Sequence, residues 1–159
     1  RFAEVDIIIR GKNSSWTKIP YFKKVLTKVH SIPNIWIDDD YSEISKQYKL
    51  AALSDLVIAK HTSIGDELLA AGKRVIYHDY IPNSSSGSAS SNFNYNGYNV
   101  YAHSYNHLEF MVKIVVNGGE LLTNKEVLDL QVIINDIPAD GRVKQRVMKN
   151  LDIIYNKEK

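Results

Sequence analysis

Residues 55–79 constrain the fold more than any other stretch, because they follow the order strand, turn, helix, stop, strand. Residues 56–59 form a short apolar run ended by polar residues, which is typical of a strand buried on both faces. Helical residues follow from about Ser63, and Gly72 stands where a left-handed helix end is expected. Residues 74–77 then begin a second buried strand. The stretch predicts a β-α-β unit, and ligands of parallel sheets bind at the carboxyl ends of the strands.

The turn of this unit carries residue types that bind anions. Lys60 supplies positive charge, Thr62 and Ser63 supply hydroxyl groups, and Gly65 allows a ligand to approach the backbone closely. The N–H groups at the start of the helix add a partial positive field. A hydrogen bond from His61 to a phosphate and a purely structural role for this histidine are equal alternatives.

Two acidic residues follow the turn and permit different interpretations. Glu67 lies one helical turn further on, on the face that a ribose could reach. Ser63-x-x-Asp66 also fits a capping box, which is a structural device with no ligand. Phosphate binding and helix capping therefore remain open for this turn.

The remainder of the chain alternates between strands and helices in the same way. The patterns predict strands at 5–10, 34–38 and 99–103, helices at 19–30, 42–54 and 106–116, a helix after the capping box Thr123-x-x-Glu126, and a last amphipathic helix carrying Val143, Val147, Leu151 and Ile154. We therefore expect an α/β fold, a Rossmann-like parallel sheet with helices on both faces and C-terminal helices appended. Residues 1–159 are expected to form a single domain.

Two further segments carry candidate binding residues. Arg10 ends the first strand and precedes a Gly/Asn/Ser turn that contains Lys12, so basic groups again lie at the carboxyl edge; a solvated loop is the alternative. Residues 81–97 are rich in Ser, Asn and Gly and form a long loop. The aromatic residues Tyr80, Phe93 and Tyr95 are interpreted either as a lid over a bound base or sugar, or as anchors of this loop.

Composition excludes several classes of function. The net charge of +2 gives no case for nucleic-acid binding, and the absence of cysteine excludes disulfides and thiolate metal sites. No apolar run approaches the roughly 20 residues that span a bilayer. The run of carboxylates Asp38-Asp-Asp40 fits an acidic helix start better than a metal site, and the histidines lack ligand spacing. No metal and no cofactor are expected.

Taken together, three short motifs resemble the C-terminal, donor-binding half of GT-B glycosyltransferases. The branch is that of bacterial surface-polysaccharide enzymes and CDP-glycerol glycerophosphotransferases. The segments that carry the resemblance are Ser54-Asp-Leu-Val-Ile through Thr62-Ser-Ile-Gly-Asp-Glu67 to Gly72-Lys-Arg-Val-Ile, then Ile9-Arg10-Gly11-Lys12, which is similar to "I-R-P-H-P", and Asp140-Gly-Arg-Val-x-x-Arg146, which is similar to "D-G-x-x-x-x-R".

The resemblance implies roles for individual residues. It makes Thr62, Ser63 and Gly65 the contacts to the diphosphate, Glu67 the contact to the ribose or donor sugar, and Arg10 a helper near the phosphates. Lys12 stands in the element where the family has Pro-His-Pro, so the histidine that assists the leaving phosphate is missing and a lysine is the substitute cation.

The implied activity is metal-independent transfer from a UDP-, CDP- or CMP-linked donor in bacterial surface polysaccharide biosynthesis. Preorganised N–H groups and basic side chains would stabilise the charge on the leaving phosphate. The resemblance implies a separate N-terminal acceptor domain that supplies the base, so this domain is expected to be inactive alone. We expect it in the cytoplasm, with the rest of the protein associating with the inner membrane. The alternatives are a sugar-nucleotide epimerase domain and a non-catalytic, flavodoxin-like binding or scaffold module.

Overall fold

The computed structural model shows an α/β protein in which parallel strands alternate with helices. It describes residues 4–11, 13–43, 45–60, 62–78, 93 and 95–135. The elements are β1 (Ile7–Arg10), a short 3₁₀ helix (Ser14–Lys18), α1 (Pro20–Val29), β2 (Ile35–Asp38), α2 (Lys46–Leu53), β3 (Val57–Ala59), α3 (Ser63–Ala70), β4 (Val75–His78), β5 (Tyr101–Ala102), α4 (Tyr105–Val116) and α5 (Asn124–Asn135). The chain divides into two compact units, residues 1–50 and 51–159. The single domain over residues 1–159 stays a prediction.

The first unit contains a parallel pair of strands, β1 and β2. They are in register from Ile7 opposite Ile35 to Arg10 opposite Asp38. Pro20 begins α1, which agrees with the preference for proline in the first helical turn. The register places the basic end of β1 beside the acidic end of β2.

The second unit contains a three-stranded parallel sheet in the order β3-β4-β5. One hydrophobic cluster joins Val75 and Tyr77 of β4 to Leu68 and Leu69 of α3 and to Leu130 of α5. A second cluster joins strand residues to α4; its buried members are Ile76, Ala102, Met111 and Leu121. Because successive strand residues point to opposite faces, helices cover this sheet on both sides.

Two local signals that were read from the sequence are confirmed. Gly72 follows α3 with φ 77°, the left-handed conformation expected at a helix end. Thr123 and Glu126 form the predicted capping box: the Thr123 backbone N–H donates to Glu126 Oε2 at 2.7 Å, and the Glu126 N–H donates to Thr123 Oγ1 at 3.3 Å. Both signals are reliable because each depends only on residues that lie within a few positions of one another in the sequence.

The predicted helix 42–54 is too long at its start, because α2 begins only at Lys46. The acidic run at residues 38–40 was expected to form the start of this helix, and it does not. The Asp40 carboxylate accepts hydrogen bonds from the Ser42 backbone N–H at 3.0 Å and from Lys46 Nζ at 2.9 Å. The hydrogen bond from the Ser42 hydroxyl at 2.6 Å contributes most to a pKa of Asp40 far below its usual value, followed by the bonds from Lys46 and from the Ser42 N–H.

Other predictions fall on residues that the structure does not describe. The last amphipathic helix, the element at residues 140–146 and most of the loop 81–97 lie outside the described residues. Within the described ranges, none of the helices has the length and apolar character that crossing a membrane requires.

Candidate functional site

The predicted anion turn lies at the carboxyl end of β3, directly before α3. Thr62 is the N-cap residue of α3, with an extended backbone (φ −138°, ψ 132°), and its side chain makes no capping hydrogen bond. Ser63 is exposed, and Lys60 and Thr62 are half-buried. His61 of this turn, like Lys12, lies outside the described residues. The turn thus presents an exposed hydroxyl at a helix start whose N-cap side chain does not satisfy the first N–H groups.

Of the two interpretations left open for this turn, the capping box between Ser63 and Asp66 is wrong. Because the N-cap is Thr62, the box would be one residue out of register with the helix. Asp66 instead points into the core and is only 4% exposed. Its Oδ1 accepts hydrogen bonds from the hydroxyls of Tyr77 and Tyr95, each at 2.7 Å. The carboxylate therefore ties the first turn of α3 to β4 and to the segment around Tyr95.

The two tyrosine hydroxyls are suited to hold this carboxylate. Tyr77 and Tyr95 are 4% and 1% exposed, and their rings stack with centroids 6.1 Å apart. Burial, followed by the hydrogen bond to Asp66, raises the pKa of both phenols well above the usual value. Both hydroxyls stay protonated at neutral pH and remain donors. A buried carboxylate without such donors would be strongly destabilising.

Gly65 makes close contact with a protein side chain. A Cβ atom added at this position would lie 2.5 Å from Tyr77 Oη, closer than any real non-bonded carbon contact. The ring of Tyr77 therefore occupies the space that glycine leaves. Gly65 is buried, so contact with the Tyr77 ring is a structural reason for a glycine at this position. The expected approach of a ligand to the Gly65 backbone stays a prediction.

The predicted lid residues fall into two different situations. Tyr95 is buried and bonded to Asp66, and Phe93 stacks on it with ring centroids 6.2 Å apart. These contacts favour the anchor interpretation for Tyr95 and Phe93, and the lid stays a prediction. Tyr80 lies outside the described residues.

Glu67 is exposed on α3, as a contact to a ribose or sugar requires.

Arg10, the predicted helper near the phosphates, belongs to the first unit and is engaged there. Its guanidinium forms an ion pair with Asp38, donates to the Asp40 carbonyl at 2.9 Å and lies 4.5 Å from the centroid of the Tyr41 ring. Lys46 Nζ completes the cluster at 2.7 Å from Asp38 Oδ1. Burial by itself raises the pKa of Asp38, but the bonds from Lys46 and Arg10 outweigh burial and lower it. The contact between Arg10 and a phosphate stays a prediction.

The carboxyl edge of the β3-β4-β5 sheet also carries imidazoles. His78 ends β4, and His103 follows β5 directly. The rings of His103 and His107 are in contact, with centroids 5.9 Å apart. These histidines have no role assigned from the sequence, because their spacing matches no metal motif.

Comparison with protein-family models, with curated proteins and with solved structures finds no match. Among the residues that the structure describes, no group of three or more His, Cys, Asp or Glu side chains is arranged to hold a metal ion. The chemistry available at the second unit's sheet edge is hydrogen-bond donation to an anion from a helix start, hydroxyls and imidazoles.

Two signals in the sequence point to the groups that were missed. Asp66 lies three residues before Leu69 and four before Ala70, both buried, so the helical period places this acid on the apolar face of α3. A carboxylate on an apolar face requires buried donors, and tyrosines are the obvious source. His103 ends the predicted strand 99–103, so the pattern places it at the same carboxyl edge as the residues after β3.

Proposed function

We propose that this chain is the donor nucleotide-binding half of a metal-independent glycosyltransferase or glycerophosphotransferase of bacterial surface polysaccharide biosynthesis. The finer fold assignment, a Rossmann-like half of a GT-B fold, is part of this proposal. In it, the phosphates of a nucleotide-activated donor lie at the start of α3, and Thr62 and Ser63 donate to them. Glu67 contacts the ribose or the donor sugar. Transfer to an acceptor requires the separate N-terminal acceptor domain.

The position of the Asp66 carboxylate is the observation that carries the proposal. In a capping box this carboxylate would reach back to the helix start and take the place of a bound anion. Here it accepts from Tyr77 and Tyr95 inside the core, and the N-cap residue Thr62 makes no side-chain cap. The positive end of α3 therefore faces the carboxyl edge of the sheet without its usual side-chain partner.

A second candidate function is a non-catalytic binding or scaffold module. The packing of Tyr77 against Gly65 favours it, because this glycine then serves the core and not a ligand. The pairing of Arg10 with Asp38 favours it for the same reason. Binding of a nucleotide separates the two candidates.

The experiment is a thermal-shift panel of UDP, CDP, CMP, GDP and ADP. A ligand present at about 100 times its Kd stabilises the protein by about 2.7 kcal/mol, an easily measured shift. We expect a response to a pyrimidine nucleotide that Ser63→Ala and Glu67→Ala each weaken. Ser31→Ala and Glu4→Ala change exposed residues of the first unit and serve as matched controls. Absence of any response in the wild type would rule out the proposal.

A further inference from the structure

The charged residues of this chain are unevenly distributed, and one long stretch of the first unit holds only basic ones. Residues 7–37 contain six lysine and arginine residues and no aspartate or glutamate. Because the net charge of the whole chain is only +2, the remaining residues are acidic on balance. Four of the six basic residues lie in α1 or directly before it and are exposed: Lys18, Lys23, Lys24 and Lys28. The helix α1 therefore carries a local excess of positive charge.

The carboxylates that follow the basic stretch pair with cations outside α1. Asp38 and Asp40 both form ion pairs with Lys46, and Glu43 forms one with Lys49. In the part of the chain that the structure describes, no ion pair involves a lysine of residues 18–28. The lysine charges around α1 therefore remain available to an anionic surface outside the protein.

Exposed apolar side chains stand beside two of these lysines. One face of α1 packs on the protein through Val29, which is buried. Tyr21 and Val25 lie four residues apart on a neighbouring face and are 71% and 39% exposed. Lys24 and Lys28 follow these two residues at a spacing of three, so the helical period places all four side chains side by side. We refer to these four residues as the α1 strip.

The composition of the α1 strip fits the surface of a bilayer that contains anionic phospholipids. Negative head groups attract lysine, and each lysine near the surface increases the partition coefficient by about fivefold. Tyrosine favours the membrane–water interface because its ring is apolar and its hydroxyl is polar, and a valine beside it adds apolar area. A nucleic-acid backbone would also attract the lysines, but it offers no apolar layer to Tyr21 and Val25. The exposed apolar side chains therefore favour a bilayer.

We infer that the chain binds reversibly to bilayers containing anionic phospholipids, with the α1 strip against the head groups and α1 parallel to the membrane plane. The lysines supply attraction that salt screens, and Tyr21 and Val25 supply an apolar contribution that salt does not screen. The inference goes beyond the proposed function and does not depend on nucleotide binding.

The test is sedimentation of the full chain with vesicles at low ionic strength. We expect binding to vesicles of phosphatidylcholine and phosphatidylglycerol in equal parts, and much weaker binding to phosphatidylcholine alone. Replacing both strip lysines, Lys24→Gln with Lys28→Gln, should reduce the partition coefficient about 25-fold and flatten its salt dependence. Tyr21→Ser should reduce the coefficient at every salt concentration. Lys113→Gln with Lys125→Gln makes the same charge change at exposed residues of the second unit and should leave binding nearly unaltered.

The salt dependence of the wild type is a readout that needs no variant, and binding should weaken steadily as salt is added. No binding to either kind of vesicle, equal binding to both, or an unchanged partition coefficient in either strip variant would overturn the inference. Binding to duplex DNA that the lysine variant weakens, without binding to vesicles, would assign the strip to nucleic acid and also overturn it. None of these outcomes bears on the proposed function, which the nucleotide panel tests separately.

Discussion

Replacing Gly65 by alanine should destabilise the protein, although glycine-to-alanine changes within helices usually stabilise by about 0.5–1 kcal/mol. Gly65 lies in the first turn of α3 and is buried. The added Cβ would lie 2.5 Å from Oη, 2.8 Å from Cε1 and 2.9 Å from Cζ of Tyr77. All three distances are well inside van der Waals contact, so the ring or the helix must move.

The expected cost follows from what this movement disturbs. Overpacking a close-packed core costs about 1–3 kcal/mol. A retreat of the Tyr77 ring also strains its hydrogen bond to the buried Asp66, and hydrogen bonds to charged groups are worth about 1.5–3 kcal/mol. After the helix-propensity gain is subtracted, we expect a net loss of about 2 kcal/mol or more. For a chain of this size, about 2 kcal/mol lowers Tm by about 4–8 °C.

The assay is urea denaturation followed by far-ultraviolet circular dichroism. Both tryptophans, Trp16 and Trp36, belong to the first unit, so tryptophan fluorescence does not report directly on α3. A double-mutant cycle with Tyr77→Leu isolates the proposed contact, because leucine lacks all three of the crowding atoms. Gly65→Ala should cost much less in the Tyr77→Leu background than in the wild type.

A Gly65→Ala variant as stable as the wild type, or more stable, would refute this reasoning. If such a variant also lost its response to nucleotides, Gly65 would serve the approach of a ligand, as the sequence first suggested. Ser63→Ala is the matched control for stability, since Ser63 begins the same helix and is exposed. We expect that change to leave the urea midpoint nearly unaltered.

Three further changes test the packing and the electrostatics. Tyr95→Phe removes one donor to the buried Asp66 carboxylate and should cost about 1.5–3 kcal/mol in urea unfolding; a neutral result would contradict this role. The pKa of Asp38 is lower in the folded protein than the ordinary value of about 4. The ionised carboxylate therefore stabilises the fold at any pH above about 4, and this stabilisation is lost as the pH falls through the lowered pKa. Lys46→Met should therefore raise that pKa and shift acid unfolding to higher pH, and an unchanged Asp38 carboxyl titration by ¹³C resonance would contradict this. Thr123→Ala breaks the capping box before α5 and should cost about 0.5–2 kcal/mol in thermal unfolding, whereas an unchanged Tm would argue against the box.

The order of strands and helices could be predicted because it depends on local patterns. The β-α-β unit from β3 to β4 was recognised from apolar runs and from Gly72, and its observed bounds differ by only one or two residues. The start of α2 was misplaced because the acidic run at residues 38–40 resembles a helix start in the sequence. The Asp40 carboxylate bonds to Ser42 and Lys46, and the helix begins only at Lys46.

The engagement of Arg10 illustrates a contact that sequence reasoning reaches only with the register in hand. Arg10 and Asp38 are 28 residues apart, but both end strands that pair in parallel. Once the two strands are paired, opposite charges at the same level make an ion pair the expected result. Taken one strand end at a time, the sequence assigns Arg10 to a phosphate and Asp38 to a helix start, because the pairing of the two strands is not visible in it.

The ambiguity between a capping box and an anion site has the same origin, and the partners of Asp66 exclude the capping box, while the anion site stays a proposal. Within residues 60–67 the two interpretations use the same side chains, so no local rule separates them. The deciding contacts come from Tyr77 and Tyr95, 11 and 29 residues further along the chain. These hydroxyls hold the carboxylate in the core. The cap interpretation would instead have placed it over the helix start. The acid that the sequence offered as a helix cap is thereby the residue that anchors the first turn of α3 to β4 and to Tyr95.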